Sequence, residues 1–327
     1  MKYLVTGATG FVGSWVTRKL VEDGHTVRVL RRSSSDISEL EGLDVQHCIG
    51  DITDLESLKK AAESVDNIFH IAGLVGYTKQ ARAAMEKVNV EGTRNVIQTV
   101  KDLNLGRLLH FSSVVAIGAG LNKDQILTED SEFNISHLDL GYFETKRNAE
   151  LLVKAAVDQG EIDAVMVNPS TIYGPGDAKK GSRKVMLKVA KGKFPIYTDG
   201  GVNVVSIHDV VEGTLKAFEK GQSGERYILA GDNITIKELF STIANAAGVA
   251  PPSLFLPTPV VKALGVVGDI LEKYNLKSIT NSENAATATM FHWFSNEKSK
   301  KELGLQFRDS KSAIRESMKW AKENGKI

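Results

Sequence analysis

The chain runs to 327 residues, long enough to bury a substantial core as one large α/β unit or as a major domain with a smaller lobe. Its 41 Lys and Arg balance 40 Asp and Glu to a formal charge of +1, so no polyanion, nucleic acid included, is implied as a partner. The one cysteine, Cys48, excludes an internal disulfide framework and suits a reducing compartment. The first predicted element is a buried strand over Tyr3–Val5, which begins at once and leaves no room for a signal peptide. No uninterrupted apolar run reaches about 20 residues, so a cytoplasmic protein without a membrane partner is expected. Gly7, Gly10 and Gly13 follow at three-residue spacing. Val12, Val16, Leu20 and Val21 then recur at helical intervals up to Gly24, a C-terminal cap. Strand, glycine turn and helix together form a phosphate-cradling unit. The first glycine permits the tight turn, the second lets backbone approach a pyrophosphate, and the third allows close helix–strand packing. The helix N-terminus adds free N–H groups and a positive dipole end. The spacing is Gly-x-x-Gly-x-x-Gly and departs from the Gly-x-Gly-x-x-Gly of the standard dinucleotide fingerprint.

Further strands are predicted over Thr26–Leu30, Val45–Ile49, Asn67–Ile71, Arg107–Phe111, Asp163–Val167 and Arg226–Leu229. Helices fall over Leu55–Ser64, Ala83–Leu103 and Tyr142–Asp158. This alternation predicts a parallel, doubly wound sheet with right-handed crossovers, its strand order unreadable. Beyond Pro169 the rhythm breaks. Thr235 and Glu238 form a capping box at the head of a helix, Pro257–Leu271 reads as apolar core packing, and Lys311–Glu323 reads as an amphipathic terminal helix. The predicted class is therefore α/β. A Rossmann dinucleotide-binding domain spans 1–170, with 204–230 returning to it. A smaller mixed α/β substrate-binding lobe spans 171–203 and 231–310, and a terminal helix spans 311–327.

Tyr142 and Lys146 stand four residues apart in a predicted helix, on one face. A phenol titrates near 10 when unperturbed, and a neighbouring ammonium favours its ionised form, which suits acid/base work. A hydroxyl at the end of a parallel strand would polarise a carbonyl held there, and Ser112 and Ser113 both follow the strand that ends at Phe111. At the end of the second strand Arg31 and Arg32, followed by hydroxyls at Ser33, Ser34 and Ser35, stand where a carboxylate would bind the ribose of NAD. Two guanidiniums there fit the 2′-phosphate of NADP. The basic run Lys179, Lys180, Arg183 and Lys184, with Lys188, Lys191 and Lys193, reads as a solvated helix face, or as an attractor for an anionic substrate. The seven histidines show no metal-ligand spacing, so no metal is proposed.

In order and spacing, these segments resemble the extended short-chain dehydrogenase/reductase family over most of the chain. They are Thr6 to Gly13, Gly50 to Asp54, His70 to Gly73, Asn89 to Thr93, Phe111 to Ser113, Tyr142 to Lys146 and Asn168 to Asp177. The nearest branch is that of dihydroflavonol-reductase-like and epimerase-like proteins. The resemblance implies that Gly7, Thr9, Gly10, Phe11, Val12 and Gly13 cradle the cofactor pyrophosphate. It further implies that Asp51 and Ile52 flank the adenine, that Ala72 and Gly73 let the cofactor approach the backbone, and that Pro169 and Ser170 lie at the nicotinamide end. Tyr142 becomes the proton donor and Lys146 also holds the nicotinamide ribose. Counting back from Gly118, the family register puts the catalytic hydroxyl on Ser113, with Ser112 one residue away. Asn89 shapes the site and holds a relay water, or simply satisfies buried backbone. Relatives often dimerise through helices of the sheet domain, so a homodimer is implied.

The function expected is an NADP(H)-dependent reductase, with NAD(H) as the alternative cofactor, acting on a small-molecule carbonyl or the corresponding alcohol. The alternative is a nucleotide-sugar epimerase or dehydratase that returns the hydride internally. The Pro169–Gly176 segment and the arginine pair favour the first. A non-catalytic dinucleotide sensor fits less well, since Tyr142 and Lys146 both stand in place.

Overall fold

The computed structural model describes residues 1–179, 183–274, 276, 278 and 280–327. Its strands are β1 (Lys2–Thr6), β2 (Thr26–Arg31), β3 (Val45–Ile49), β4 (Asn67–His70), β5 (Arg107–Phe111), β6 (Asp163–Pro169), β7 (Thr171–Tyr173), β8 (Ile196–Thr198), β9 (Gly201–Ser206), β10 (Arg226–Leu229), β11 (Asp232–Thr235), β12 (Leu254–Leu256) and β13 (Phe291–His292). Seven of them form one parallel sheet in the order β10-β6-β5-β4-β1-β2-β3, the doubly wound arrangement expected. Side chains alternate across a strand, and here both faces are apolar. Val5, Phe69, Leu109 and Val167 meet Val16 and Leu20 of helix Phe11–Glu22 and Val210 and Ala217 of helix Ile207–Lys220 on one face. Leu4, Ile68, Leu108 and Met166 meet Leu58, Val96 and Val153 on the other. The strand order reverses between β1 and β4, and the crevice beyond their C-terminal ends is where ligands of such sheets bind.

A second sheet is centred on β9, with β11 antiparallel on one side and β7 and β13 parallel on the other; β8 and β12 form a separate parallel pair. Thr235 Oγ1 accepts from Glu238 N–H and the Glu238 carboxylate accepts from Thr235 N–H, the capping box read from the sequence. The terminal helix Ser310–Glu323 shares a core with helix Ile236–Ala247 through Ile314, Met318, Leu239 and Ile243.

Two expectations need correction. Ala83–Leu103 is not one α-helix: Arg82–Met85 and Gly92–Asp102 are α-helical, and the turn between them, Glu86–Glu91, is π-helical. Apolar periodicity cannot register one extra residue in a turn, and such turns recur at functional sites. Pro257–Leu271 is not core. It carries helix Thr258–Lys273, of which Val261, Gly265 and Gly268 are buried, while Val260, Leu264, Val266, Val267 and Ile270 are 44–57% exposed. Gly265 and Gly268 let the helix lie close on the 280–285 segment, which covers one face and leaves the other apolar face to solvent. Among the described residues, no helix is long and apolar enough to cross a membrane.

Candidate active site

At the switch point, β1 runs into the glycine turn. Gly7 adopts φ +75°, and a Cβ there would lie 2.6 Å from Ala72 N; a Cβ on Gly13 would lie 2.1 Å from Gly7 O. Only hydrogen fits at either position, so the turn packs backbone against backbone and leaves room above it. No side chain caps helix Phe11–Glu22 and its first turn has no acidic residue. No acidic side chain in the first turn thus offsets the partial positive charge of its leading N–H groups, an arrangement that suits an anion such as a pyrophosphate.

A cleft of about 550 Å³ opens over this turn. Gly7, Thr9, Gly10, Val12, Gly13, Arg31, Arg32, Asp51, Ile52, Ala72, Gly73, Tyr142 and Lys146 all line it, as do Ser35 and Ser112. At its distal end Arg31 Nε donates to His47 Nδ1 at 3.2 Å, and no Asp or Glu other than Asp51 is in the lining. Asp51 turns one oxygen to Thr53 N–H and Thr53 Oγ1–H, at 2.9 and 3.0 Å. Asp36 lies off the cleft and accepts from Ser38 N–H. The charged side chains lining this end are therefore the cations Arg31 and Arg32 and the single carboxylate Asp51.

Five candidates are not in the lining: Phe11, Asn89, Ser113, Pro169 and Ser170. Phe11 packs against the sheet core beside Gly176. Pro169 ends β6, and Ser170 Oγ donates to Asn203 Oδ1 at 2.6 Å, which ties β6 to β9. Asn89 is buried in the π turn. Its Oδ1 accepts from Leu74 N–H at 2.8 Å, and its Nδ2 donates to Leu74 O and Thr145 Oγ1 at 2.9 and 3.1 Å. The amide thereby clamps the segment after β4 to the helix Gly141–Asp158 that carries Tyr142 and Lys146.

Ser113 lies outside the lining, where its hydroxyl accepts from Val115 N–H at 3.4 Å and its side chain acts on the Tyr142 phenol, whereas Ser112 lines the cleft with its hydroxyl buried and without a partner among the described residues. Burial, and after it the neighbouring Tyr77, push the phenol above its ordinary value, and the Ser113 contact pulls the other way. Lys146 is 5% exposed, and its ammonium donates to Phe111 O at 2.8 Å. Burial lowers it to about 8, and Glu150 opposes that drop. The sequence leads one to expect Lys146 to act directly on the phenol. Here the ammonium is held by a backbone carbonyl, and the phenol keeps its proton across the neutral range.

Below these groups runs a polar relay. Thr93 Oγ1 donates to Asn89 O at 2.7 Å, so toward His70 Nε2, at 3.1 Å, it accepts, and His70 carries its proton on Nε2. The free Nδ1 then takes the hydrogen of Thr6 Oγ1 at 2.8 Å, and Thr6 Oγ1 accepts from Ala72 N–H. Burial and the Lys146 charge push His70 down to about 3, so the imidazole is neutral and the relay has fixed polarity.

Several contributors went unread in the sequence. Tyr77 sets its ring edge-on to Tyr142 at 5.9 Å. Arg183 turns inward over the Tyr173 ring at 4.3 Å, while Lys184, Lys188, Lys191 and Lys193 are exposed, a solvated face. Lys180, Gly181 and Ser182 of that run lie outside the described residues. Glu150 repeats the four-residue step from Tyr142 to Lys146, a signal that was available.

Residues 3–230 match the model of the NAD dependent epimerase/dehydratase family. The chain is 30% identical to sterol demethylase protein B of Methylococcus capsulatus, with 100% of both proteins covered. It is 27% identical to cinnamoyl-CoA reductase 1 of Petunia hybrida over 99% of this chain and 92% of that protein. The crystal structure of gox2253 is similar at a TM-score of 0.88 and 34% identity, covering 99% of each chain.

Proposed function

Since this chain belongs to the NAD-dependent epimerase/dehydratase family, the extended branch of the short-chain dehydrogenases and reductases, we propose that it reduces a small-molecule carbonyl to an alcohol with NADPH and releases both products. The observation that carries this reading is one cleft lined by Tyr142 and Lys146 at one end, with Ser113 behind the phenol, and by Arg31, Arg32 and Ser35 at the other. NADPH, when bound, supplies the hydride. The Ser113 hydroxyl donates a hydrogen bond to the carbonyl oxygen and draws electron density from the carbon. Tyr142, a neutral phenol because burial raises it, gives its proton to the oxygen as the C=O π pair becomes an O–H bond. The Lys146 ammonium stabilises the phenolate left behind until solvent reprotonates it. Asn89 keeps the two helices that frame these groups in register.

A relative that spans nearly the whole chain is itself named a reductase, which supports net reduction over internal hydride return. Arg31 and Arg32 support NADP(H) over NAD(H), because a cofactor exchanged at every turnover must be selected each time. A cytoplasmic location fits the lone Cys48. The test presents aldehydes, ketones and nucleotide sugars in parallel with NADPH and follows both nicotinamide absorbance and product stereochemistry. Stoichiometric NADPH oxidation with carbonyl is expected. Faster conversion of a nucleotide sugar with no net oxidation would replace this reading by epimerisation.

A further inference from the structure

The helix that carries Tyr142 and Lys146 has a third polar residue at the same spacing. Glu150 is 5% exposed, one turn beyond Lys146. A carboxylate so deep survives only with partners, and it has two. Asn168 Nδ2, fully buried on β6, donates to Glu150 Oε1 and to the carbonyl of Ser113, the latter at 3.0 Å. Arg226 Nη1, from β10, donates to Glu150 Oε2 at 3.2 Å, while the rest of that guanidinium holds the backbone carbonyls of Glu129 and Ser131. Glu150 is thus one amide away from the serine that meets the phenol, and one helical turn from the ammonium that serves it.

We propose that Glu150 is the positioning residue of this site: its buried negative charge keeps Lys146 an ammonium, and its bond through Asn168 fixes the backbone of Ser113. The inference rests on the roles given above to Lys146 and Ser113. Among the described residues, the other titratable groups around Lys146 do not hold its charge up. His70 on β4 and His110 on β5 are buried and neutral, Tyr142 on the same helix is a neutral phenol, and Arg226 on β10 is a cation paired with Glu150. Burial alone drives Lys146 down, and Glu150 is the group that holds it up. Glutamate is therefore required here for its charge; a neutral amide of the same shape could still accept from Asn168.

The test reads Lys146 directly, in protein without substrate. Lysine labelled at Cε is titrated by carbon NMR, and the Lys146 signal is assigned by its loss in Lys146→Met. In Glu150→Gln the midpoint should fall by roughly one unit or more. Glu150→Asp keeps the charge and should hold the midpoint closer to that of the unaltered protein than Glu150→Gln does. A Lys146 titration unmoved in Glu150→Gln overturns the proposal. If that variant does not fold, Glu150→Met decides: a fall in the midpoint supports the proposal, no change or a rise overturns it. Where carbonyl reduction is measurable, the alkaline limb of kcat/KM should move to lower pH in Glu150→Gln by the same amount as the NMR midpoint. A merely structural role would reduce the amplitude and leave the limb where it is. An NMR shift in a protein inactive toward every carbonyl would leave Glu150 in its role and remove the reductase reading instead.

Discussion

At the scale of single residues, two tests separate chemistry from packing. Tyr142→Phe removes the proton assigned to the carbonyl oxygen while keeping the ring that packs near Tyr77, so turnover should fall by about two to four orders of magnitude. NADPH affinity, measured by fluorescence titration, should barely change. Ser113→Ala should cost more activity than Ser112→Ala, because Ser113 pulls the phenol downward and the Ser112 hydroxyl has no partner among the described residues; the reverse order would exchange their roles. At the other end of the cleft, charge-assisted contacts are worth roughly 1.5–3 kcal/mol each. Replacing Arg31 and Arg32 together by Ala should weaken NADPH by about two orders of magnitude or more and leave NADH almost unaffected. Calorimetry with both dinucleotides checks this, and tighter NADH binding by the unaltered protein would refute NADP(H) selection.

At the scale of elements, the glycine turn is the least forgiving piece of backbone. Gly13→Ala forces a Cβ to 2.1 Å from Gly7 O, so helix Phe11–Glu22 must move off the strand it leaves. Such overpacking costs about 1–3 kcal/mol and displaces the N–H groups meant for the pyrophosphate. A lower melting temperature together with loss of dinucleotide binding is expected; retained binding would mean the turn is not the anion cradle. This element was legible in the sequence because backbone does the work and glycine spacing reports backbone. Tyr142 and Lys146 were legible for a related reason, since an i, i+4 step on a helix is local. What the sequence hid was non-local. Glu150 meets Arg226 across 76 residues, and nothing in either neighbourhood announces the other. The different settings of Ser112, in the cleft lining, and Ser113, outside it, depend on how the strand end turns. The π turn around Asn89 needed a backbone count that apolar periodicity averages away.

At the scale of the whole molecule, buried imidazoles set the acid limit of the fold. His70 is held down to about 3 by burial, and His110 and His292 are also pushed below their ordinary value of 6.5 by burial. The unfolded chain takes up protons at these positions below 6.5 and the folded chain does not, so stability is full above 6.5 and is lost as pH falls toward 3. Glu129, Asp177, Asp209 and Glu283, raised by burial, act in the opposite sense and temper the slope. Urea unfolding should show a loss of roughly 1–3 kcal/mol between about pH 7.5 and 5.5; a flat profile would mean that the histidines are solvated. The fold class was readable because both faces of the parallel strands repeat one apolar message. The fate of helix Thr258–Lys273 was not, because an apolar stretch states its own character and says nothing of what covers it. That uncovered face has a practical consequence at the bench. Environment-sensitive dyes that fluoresce on apolar surfaces should light up on the native protein, so a dye-monitored melt will start from a high baseline and blur the transition. Circular dichroism, which is blind to that surface, should give a clean curve. Val267 and Ile270 are more than half exposed, so replacing both by Ser should quench the native dye signal while leaving the dichroism midpoint where it was.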